Sequence, residues 1–399
     1  LREANQVNIA LNFISEYVAT SQNNSPKPLK TVLSTYFKSR KNMGSKDRRT
    51  MSDLVYQYFR LGHILKNESP ITRLAIACFL CEKKNSPILT YLLERYPSFL
   101  EKLNQPLETK FQLLKASFPD FDINDLFPFS APFSKGIDKL EFLQSHFIQP
   151  NLWIRTRTSY RDKVQEELLS KDISFTQYPM MSNAICLANR TNLDTLESNK
   201  RGYFEVQDLS SQKTGNFIDT KPNQNWWDCC SGSGGKSLMI IDKEPSIRLH
   251  LSDTREGILQ NLKLRINKVT KQKFPIKQAN LTNESNPLPF SIPMDGIIAD
   301  VPCSGSGTWS RTPENIYFIT QKEIESYHNK QKKIIKSALP ALKNGGELIY
   351  ITCSVFESEN EAVVNELSND YNLELVNSQA ILGYQDQADS MFIAKLRKK

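Results

Sequence analysis

Apolar positions recur at helical spacing through the first 120 residues. Val7, Leu11, Ile14 and Val18 form one stripe; Leu29, Val32, Leu33, Tyr36 and Phe37 form a second. Leu54, Tyr58, Leu61 and Leu65 continue the pattern, and residues 71–80, 87–96 and 108–118 complete a small bundle. Residues 118–133 are aromatic and irregular, and Pro119, Pro128 and Pro132 argue for a linker packed on neighbouring surfaces. The elements then shorten. Strands are predicted at 152–155, 173–178 and 184–187, with a helix at 160–169 carrying Val164 and Leu168, and a helical turn at 192–198. That order suits a split βαβ or RNA-recognition-like module forming one wall of a cleft, although the aromatic pattern of a single-strand-binding sheet is missing.

From residue 202 strand and helix alternate. Strands are predicted at 204–209, 226–230, 247–251, 274–278, 297–299 and 347–352, with 373–376 and 391–396 closing the sheet. Thr320 with Glu323, and Ser358 with Glu361, have the spacing of capping boxes. The expected fold class is α/β: a doubly wound sheet preceded by a small α/β module and an all-α bundle. The expected domains are 1–120 (helical), 121–135 (linker), 136–200 (small α/β module) and 201–399 (doubly wound sheet).

Composition narrows the function. The 399 residues carry a formal charge of +8, which fits an RNA or DNA partner. Six basic side chains against one acid between Lys38 and Arg49 suggest either a solvated loop and helix start or a phosphate-backbone contact. Seven cysteines, an odd and low count, argue against a disulfide framework, and four scattered histidines argue against a metal site. Cys78 and Cys81 sit among apolar neighbours and read as core. No apolar run approaches a membrane span and no apolar targeting segment is present, so a soluble, cytoplasmic, monomeric protein without metal is expected.

The chemistry gathers at strand ends. The apolar run Ile297-Ile298-Ala299 ends in Asp300-Val301-Pro302-Cys303-Ser304-Gly305-Ser306-Gly307, a strand emptying into a tight loop. Fifty positions on, Tyr350-Ile351-Thr352-Cys353-Ser354 repeats the arrangement. Ligands of open α/β sheets bind beyond the carboxyl ends of the strands, so two cysteines there are candidates for one site. The loop Asp228-Cys229-Cys230-Ser231-Gly232-Ser233-Gly234-Gly235-Lys236-Ser237 follows the first central strand and admits three ligand classes. A nucleoside triphosphate needs a glycine where Cys230 stands, and a dinucleotide needs a spacing that Gly232, Gly234 and Gly235 do not have. S-adenosylmethionine is favoured: Asp253, at the end of the next strand and followed by Arg255, suits ribose hydroxyls, and Asn280 after the third suits adenine.

These motifs resemble the RNA (cytosine-5) methyltransferase family of the Sun/NSUN type, and in particular its bacterial ribosomal RNA members with a helical N-terminal domain. Residues 228–236 stand where the family has Asp-x-Cys-Ala-Ala-Pro-Gly-Gly-Lys, residues 300–307 match Asp-x-Pro-Cys-Ser-Gly-x-Gly, and Thr352-Cys353-Ser354 matches Thr-Cys-Ser, followed by Glu357, Glu359, Asn360 and Glu361. Ser310-Arg311-Thr312-Pro313-Glu314 matches an Arg-x-Pro-acid segment, and Val206-Gln207-Asp208-Leu209-Ser210 resembles the entry to the catalytic domain. The likeness covers residues 136–399; residues 1–120 resemble an antitermination-factor-type helical RNA-binding bundle. The family's Ala-Ala-Pro is Ser231-Gly232-Ser233 here, which loosens the loop, and Asn280 stands where an Asp is frequent.

The resemblance implies a Rossmann-like S-adenosylmethionine-dependent fold that methylates C5 of a cytosine in RNA, with ribosomal RNA expected and transfer RNA an alternative. Cys353 is the implied nucleophile toward C6, Cys303 assists release and proton removal, and Asp300 contacts the cytosine edge. The implied cofactor residues are Cys230, Ser231, Gly232, Ser233, Gly234, Lys236, Asp253, Arg255, Asn280 and Asp300; Arg311 and Lys236 are the implied substrate contacts. The base must leave its stack. Lys263, Arg265, Lys268, Lys271, Lys273 and Lys277, with Arg155 and Arg157, are candidates to line the RNA track. Two rivals remain: a DNA cytosine-5 methyltransferase with Cys303 as nucleophile, and a non-catalytic RNA-binding assembly factor.

Overall fold

The computed structural model describes residues 2–22 and 26–399. The chain forms two compact units. The first takes in the chain up to Ser130 together with Asp138–Gln149 and Trp309–Thr320. Its helices are α1 (Arg2–Gln22), α2 (Leu29–Ser39), α3 (Ser45–Arg60), α4 (Pro70–Cys81), α5 (Pro87–Leu92), α6 (Pro97–Glu101), α7 (Leu107–Ser117) and α8 (Lys139–Ser145). Amphipathic α3 buries Met51, Leu54, Val55, Tyr58 and Phe59, one stripe at helical spacing. Helix α4 is buried all round from Arg73 to Leu80, as befits the centre of the bundle. Pro70 opens it and the Ser69 hydroxyl accepts from Thr72 N. Lys110 closes it by donating to the carbonyls of Phe79 (2.7 Å) and Glu82 (2.8 Å).

In the aromatic stretch after α7, Phe118, Phe121, Leu126 and Phe127 are buried, because so many rings have more to gain from the bundle core than from water. Residues 138–149 belong here rather than to the small α/β module. The basic stretch is a loop and then a helix start, with α3 beginning at Ser45 behind Gly44. Cys78 is buried and Cys81 half-buried, both as free thiols.

The second unit, Ala131–Ile137, Pro150–Thr308 and Gln321–Lys399, contains two sheets. The small one has β1 (Leu152–Thr156), β2 (Phe175–Gln177), β3 (Ala184–Leu187) and β4 (Phe204–Val206) in the order β2-β3-β1-β4, all pairs antiparallel. With α9 (Arg161–Ser170) and α10 (Glu197–Lys200) this is the βαββαβ order of a split βαβ module. Its core holds Ile154, Val164, Leu168, Ile185, Leu187, Leu196 and Phe204. Phe204–Val206 therefore completes this sheet instead of opening the next; three residues carry too little alternation to name their partner strand.

After α11 (Leu209–Lys213), the large sheet is built from β5 (Asn225–Asp228), α12 (Gly235–Lys243), β6 (Arg248–Asp253), α13 (Glu256–Val269), β7 (Ile276–Gln278) and β8 (Met294–Asp300). The short α14 (Glu314–Phe318) belongs to the helical unit. Helix α15 (Gln321–Ala338), β9 (Leu342–Thr352), α16 (Glu361–Asp370), β10 (Leu373–Ile381) and β11 (Met391–Lys398) finish the chain. The strand order is β10-β11-β9-β8-β5-β6-β7, with β11 antiparallel to both neighbours and β5 to β9 parallel. Neighbouring residues feed opposite faces: Trp227 and Ile297 pack in one apolar layer, Trp226 and Ile298 in the other. The order reverses beside β5, which is where such sheets bind ligands. Among the described residues no helix is long and apolar enough to cross a membrane.

Inside the helical unit His146 is buried, its Nδ1 donating to the Phe142 carbonyl at 2.9 Å. Burial holds its pKa down at about 4. The unfolded chain thus takes up this proton as pH falls below ~6.5, while the folded chain does so only near 4. Stability from this group is present above that window and lost within it, by roughly 3 kcal/mol. Urea unfolding at pH 7.5 and 4.5 should show this loss in the wild type and a shallower loss in His146→Leu; equal pH slopes would refute it.

Candidate active site

Neighbouring parallel strands deliver the expected residues to one edge of the sheet. Asp228 ends β5, Asp253 ends β6, Asp300 ends β8, and Cys353 directly follows β9. They line a cleft of about 800 Å³. Cys230, Ser231, Gly232, Ser233, Lys236, Arg255, Asn280 and Cys303 line it as well. Two expected residues stand apart. Gly234 is not in the lining: its φ is +91°, and a Cβ there would come within 2.3 Å of Leu262, so this glycine serves the fit of α12 against α13. Arg311 lies in Trp309–Thr320, which belongs to the helical unit and not to the unit that carries the cysteines.

Cys303 and Cys353 meet. Their Sγ atoms are 3.2 Å apart, a thiol contact and not the ~2.05 Å of a disulfide. The Cys353 backbone N–H also points at Cys303 Sγ, at 3.3 Å. The hydrogen bond to Cys353 and burial together push the Cys303 thiol well above the usual range. In this pair Cys303 holds its proton.

Beside the sulfurs lies a polar node whose residues the sequence motifs contained but gave no role. Glu359 is fully buried, and its Oε2 accepts from Ser304 N at 2.7 Å and Gln331 Nε2 at 3.2 Å. Its Oε1 accepts from the Ser354 hydroxyl at 2.6 Å. One carboxylate thus ties the loop after β8 to the loop after β9. Ser306 Oγ lies 3.2 Å from Ser354 Oγ and accepts from Val355 N at 2.9 Å. Gly307 N donates to the Cys353 carbonyl at 2.9 Å, and a Cβ on Gly307 would come within 2.0 Å of the Ser390 carbonyl oxygen. Burial raises the Glu359 pKa, with the Ser304 and Ser354 hydrogen bonds pulling the other way. Next to it the expected capping box is absent. Asn360 precedes α16, and Glu361 instead accepts from Ser134 Oγ (2.9 Å) and Lys135 N (3.0 Å).

The strand-end acids of the cleft are held by neighbouring donors. Lys236 Nζ sits 3.0 Å from Asp300 and donates to Ser211 Oγ at 2.9 Å. Asp253 accepts from Gly232 N (3.0 Å), Arg255 N (2.9 Å) and the Arg255 guanidinium. Burial pushes Asp228 up to about 7, opposed by the Ser237 hydroxyl at 2.6 Å and reinforced by nearby Asp300; its Oδ1 has no protein partner. Asn280 Oδ1 accepts from Thr282 N (3.0 Å) and Thr282 Oγ1 (2.7 Å), which fixes its orientation. Asp300 is paired with Lys236 and Asp253 with Arg255, and the Asp228 pKa is raised, so the strand ends offer carboxylate acceptors for a ligand's hydroxyls without an excess of negative charge. A side chain at Gly232 would meet nothing nearer than Arg255 Nη2 at 4.0 Å, so the loop leaves room for a ligand.

Several expected RNA contacts prove to be internal ties. Arg155 and Arg157 both pair with Asp242, and Arg157 also donates to the Val269 carbonyl. Arg265 is bound to Ser233 and Glu205, and Lys277 donates to the Pro289 carbonyl. Lys263, Lys268 and Lys271 remain exposed. Lys330 on α15, absent from the expected set, lines the cleft. It follows no glycine or cysteine motif, and its one signal is its place on the helix after the cysteine loop.

Removing the node at Glu359 should loosen both cysteine loops. Glu359→Ala leaves three donors without an acceptor, at a cost of roughly 3 kcal/mol or more. Glu359→Gln should lose much less, because an amide oxygen accepts from Ser304 N while its NH2 donates to Ser354 Oγ. Chemical unfolding of the two variants checks this; equal losses would show that the hydrogen bonds are not what matters.

Known proteins resemble this chain in sequence and in fold. Residues 216–397 match the family model described as 16S rRNA methyltransferase RsmB/F. The ribosomal RNA small subunit methyltransferase B of Pectobacterium atrosepticum is 28% identical over 263 residues, 63% of this chain and 60% of that protein. Its namesake from Proteus mirabilis is 28% identical over 258 residues, again 63% and 60%. The chain thus spans about three-fifths of the length of these relatives. Among solved structures, PH0851 superposes with a TM-score of 0.68 at 18% identity, covering 98% of each chain. NSun6 from Pyrococcus horikoshii gives 0.58 at 17%, covering 65% of this chain and 94% of that one. An all-α bundle followed by a Rossmann-like methyltransferase fold is therefore the architecture of this protein, and over residues 216–397 its sequence is similar to the RsmB/F family.

Proposed function

We propose that this protein transfers a methyl group from S-adenosylmethionine to C5 of a cytosine in RNA, with small-subunit ribosomal RNA as substrate. The observation that carries the reading is the Cys303–Cys353 contact of 3.2 Å at the mouth of a cleft whose other end is lined by Asp228, Asp253 and Asn280. The names of the relatives from Pectobacterium and Proteus support the choice of RNA.

S-adenosylmethionine supplies an electrophilic methyl on a sulfonium. Asp253 would receive its ribose hydroxyls, Asn280 its adenine, and the loop 230–236 with Asp228 its amino-acid end. The Cys353 thiolate adds to C6 of the pyrimidine, and the electron pair displaced toward C5 takes the methyl group as the S–CH3 bond breaks. Lys236 fixes the Asp300 carboxylate, which accepts from the cytosine amino edge. Cys303 then gives its proton to solvent, and its thiolate takes the proton from C5. The C6–S bond breaks, and methylated RNA and the Cys353 thiolate are restored.

Purified protein, labelled S-adenosylmethionine and small-subunit RNA from cells lacking the gene test this directly, with transfer RNA and DNA as parallel substrates. Cys353→Ala should lose turnover by on the order of a thousandfold or more and form no adduct. Cys303→Ala should accumulate a denaturation-stable protein–RNA complex. Normal turnover by both variants, or transfer to DNA alone, would sink the reading.

A further inference from the structure

The loop that follows β5 lacks the proline of the pattern it resembles; Ser233 stands there instead. A proline stiffens a loop by locking its own φ. Ser233 has no such restraint, yet it is held. Arg265 Nη1 donates to the Ser233 carbonyl at 2.6 Å and to the Ser233 hydroxyl at 2.8 Å. On its other side Arg265 Nη2 pairs with Glu205 Oε2 at 2.6 Å. Glu205 is 11% exposed and Arg265 28% exposed, so neither charge is freely solvated. Glu205 lies on β4, opposite Arg155 of β1. Arg265 reaches across from α13. The loop is thus tied at its tip to a strand of the small sheet through one planar guanidinium, whose fork can serve three acceptors at once.

We propose that Arg265, backed by Glu205, is a positioning residue that orders the cofactor loop by clamping Ser233, in place of the missing proline. The affinity half of this inference rests on the functional reading above; the ordering half does not. Arg265 acts through the loop 231–235, of which Ser231, Gly232, Ser233 and Gly235 line the cleft, and takes no part in the chemistry.

Four variants test it in the full-length protein: Arg265→Ala, Arg265→Lys, Glu205→Gln and the double variant Arg265→Ala/Ser233→Pro. Amide hydrogen exchange of residues 229–236 without ligand should rise several-fold in Arg265→Ala. Arg265→Lys and Glu205→Gln should lie between it and wild type, because a lysine reaches one acceptor at a time. Ser233→Pro should return the exchange of the double variant toward wild type, which a loss of general stability would not allow. Affinity for S-adenosylmethionine, measured by calorimetry, should fall roughly tenfold in Arg265→Ala and recover with the proline, as expected for a preorganised site. KM for S-adenosylmethionine should rise while kcat at saturation holds. Unchanged loop exchange in a folded Arg265→Ala protein overturns the proposal, and so does exchange that the proline fails to restore. A wild-type protein that binds no S-adenosylmethionine overturns the functional reading and the affinity half, while exchange still decides the clamp.

Discussion

The site depends on one register. Strand β8 lies parallel to β9 with Asp300 opposite Ile351, so the two strands end level and their loops leave the sheet side by side. Fifty residues of intervening chain then matter little, because the sheet has already placed Cys303 against Cys353. A slip of one residue would send every side chain of one strand to the other face. The loops themselves are irregular and partly buried, and their backbone donors need partners. Glu359 supplies those partners. A buried carboxylate is costly on its own, but one that accepts from Ser304 N, Ser354 Oγ and Gln331 Nε2 is offset by the hydrogen bonds it completes. The same carboxylate disfavours negative charge nearby and contributes to the raised Cys303 pKa. Holding the cysteines together and keeping a proton on one of them are therefore two effects of one packing solution.

Charge is sorted by location. Acids collect at the strand ends, where Asp228, Asp253 and Asp300 line the cleft. Bases near them are paired inward: Lys236 with Asp300, Arg255 with Asp253, Arg155 and Arg157 with Asp242. This pairing reshapes what the net positive charge means. Arginines that would serve a phosphate backbone in an open module here fasten the small sheet to α12, leaving exposed lysines to carry the field seen by a polyanion. A fully desolvated pair stabilises only when its remaining donors find acceptors, and Arg155 and Arg157 meet most of that demand through Gln207 and the Val269 carbonyl.

The long periodic elements were legible in the sequence, and so were the strand ends. Continuous apolar runs in β8 and β9 and helical spacing in α3, α4 and α13 are local signals, and an element appears over each of them. What was illegible needs partners distant in the chain. Three-residue β4 shows its allegiance only by pairing with β1. Residues 138–149 and 309–320 look like parts of the segments that flank them, yet pack in the helical unit, because burial and not chain order decides membership. Arg265 looked like one charge in a basic run; its roles toward Ser233 and Glu205 lie 32 and 60 residues away. Glu359 was one acid of the run that follows Thr-Cys-Ser, and its role shows only once Ser304 and Ser354, 55 and 5 residues away, donate to it.

The departure at Ser233 shows how one structural requirement can be met by different physics. A proline restrains a loop covalently, and its effect is indifferent to neighbours and to salt. A guanidinium clamp restrains it through hydrogen bonds that exist only while Glu205 and α13 are in place. Because Arg265 is partly exposed, that restraint weakens as ionic strength rises. The order of the loop is then no longer a property of the loop. It is shared with the small sheet, and through Arg155, Arg157 and Asp242 with the seating of that sheet on α12. A module without the aromatic face of an RNA reader thereby has a reason to be there: it is the anchor against which the ligand end of the cleft is held.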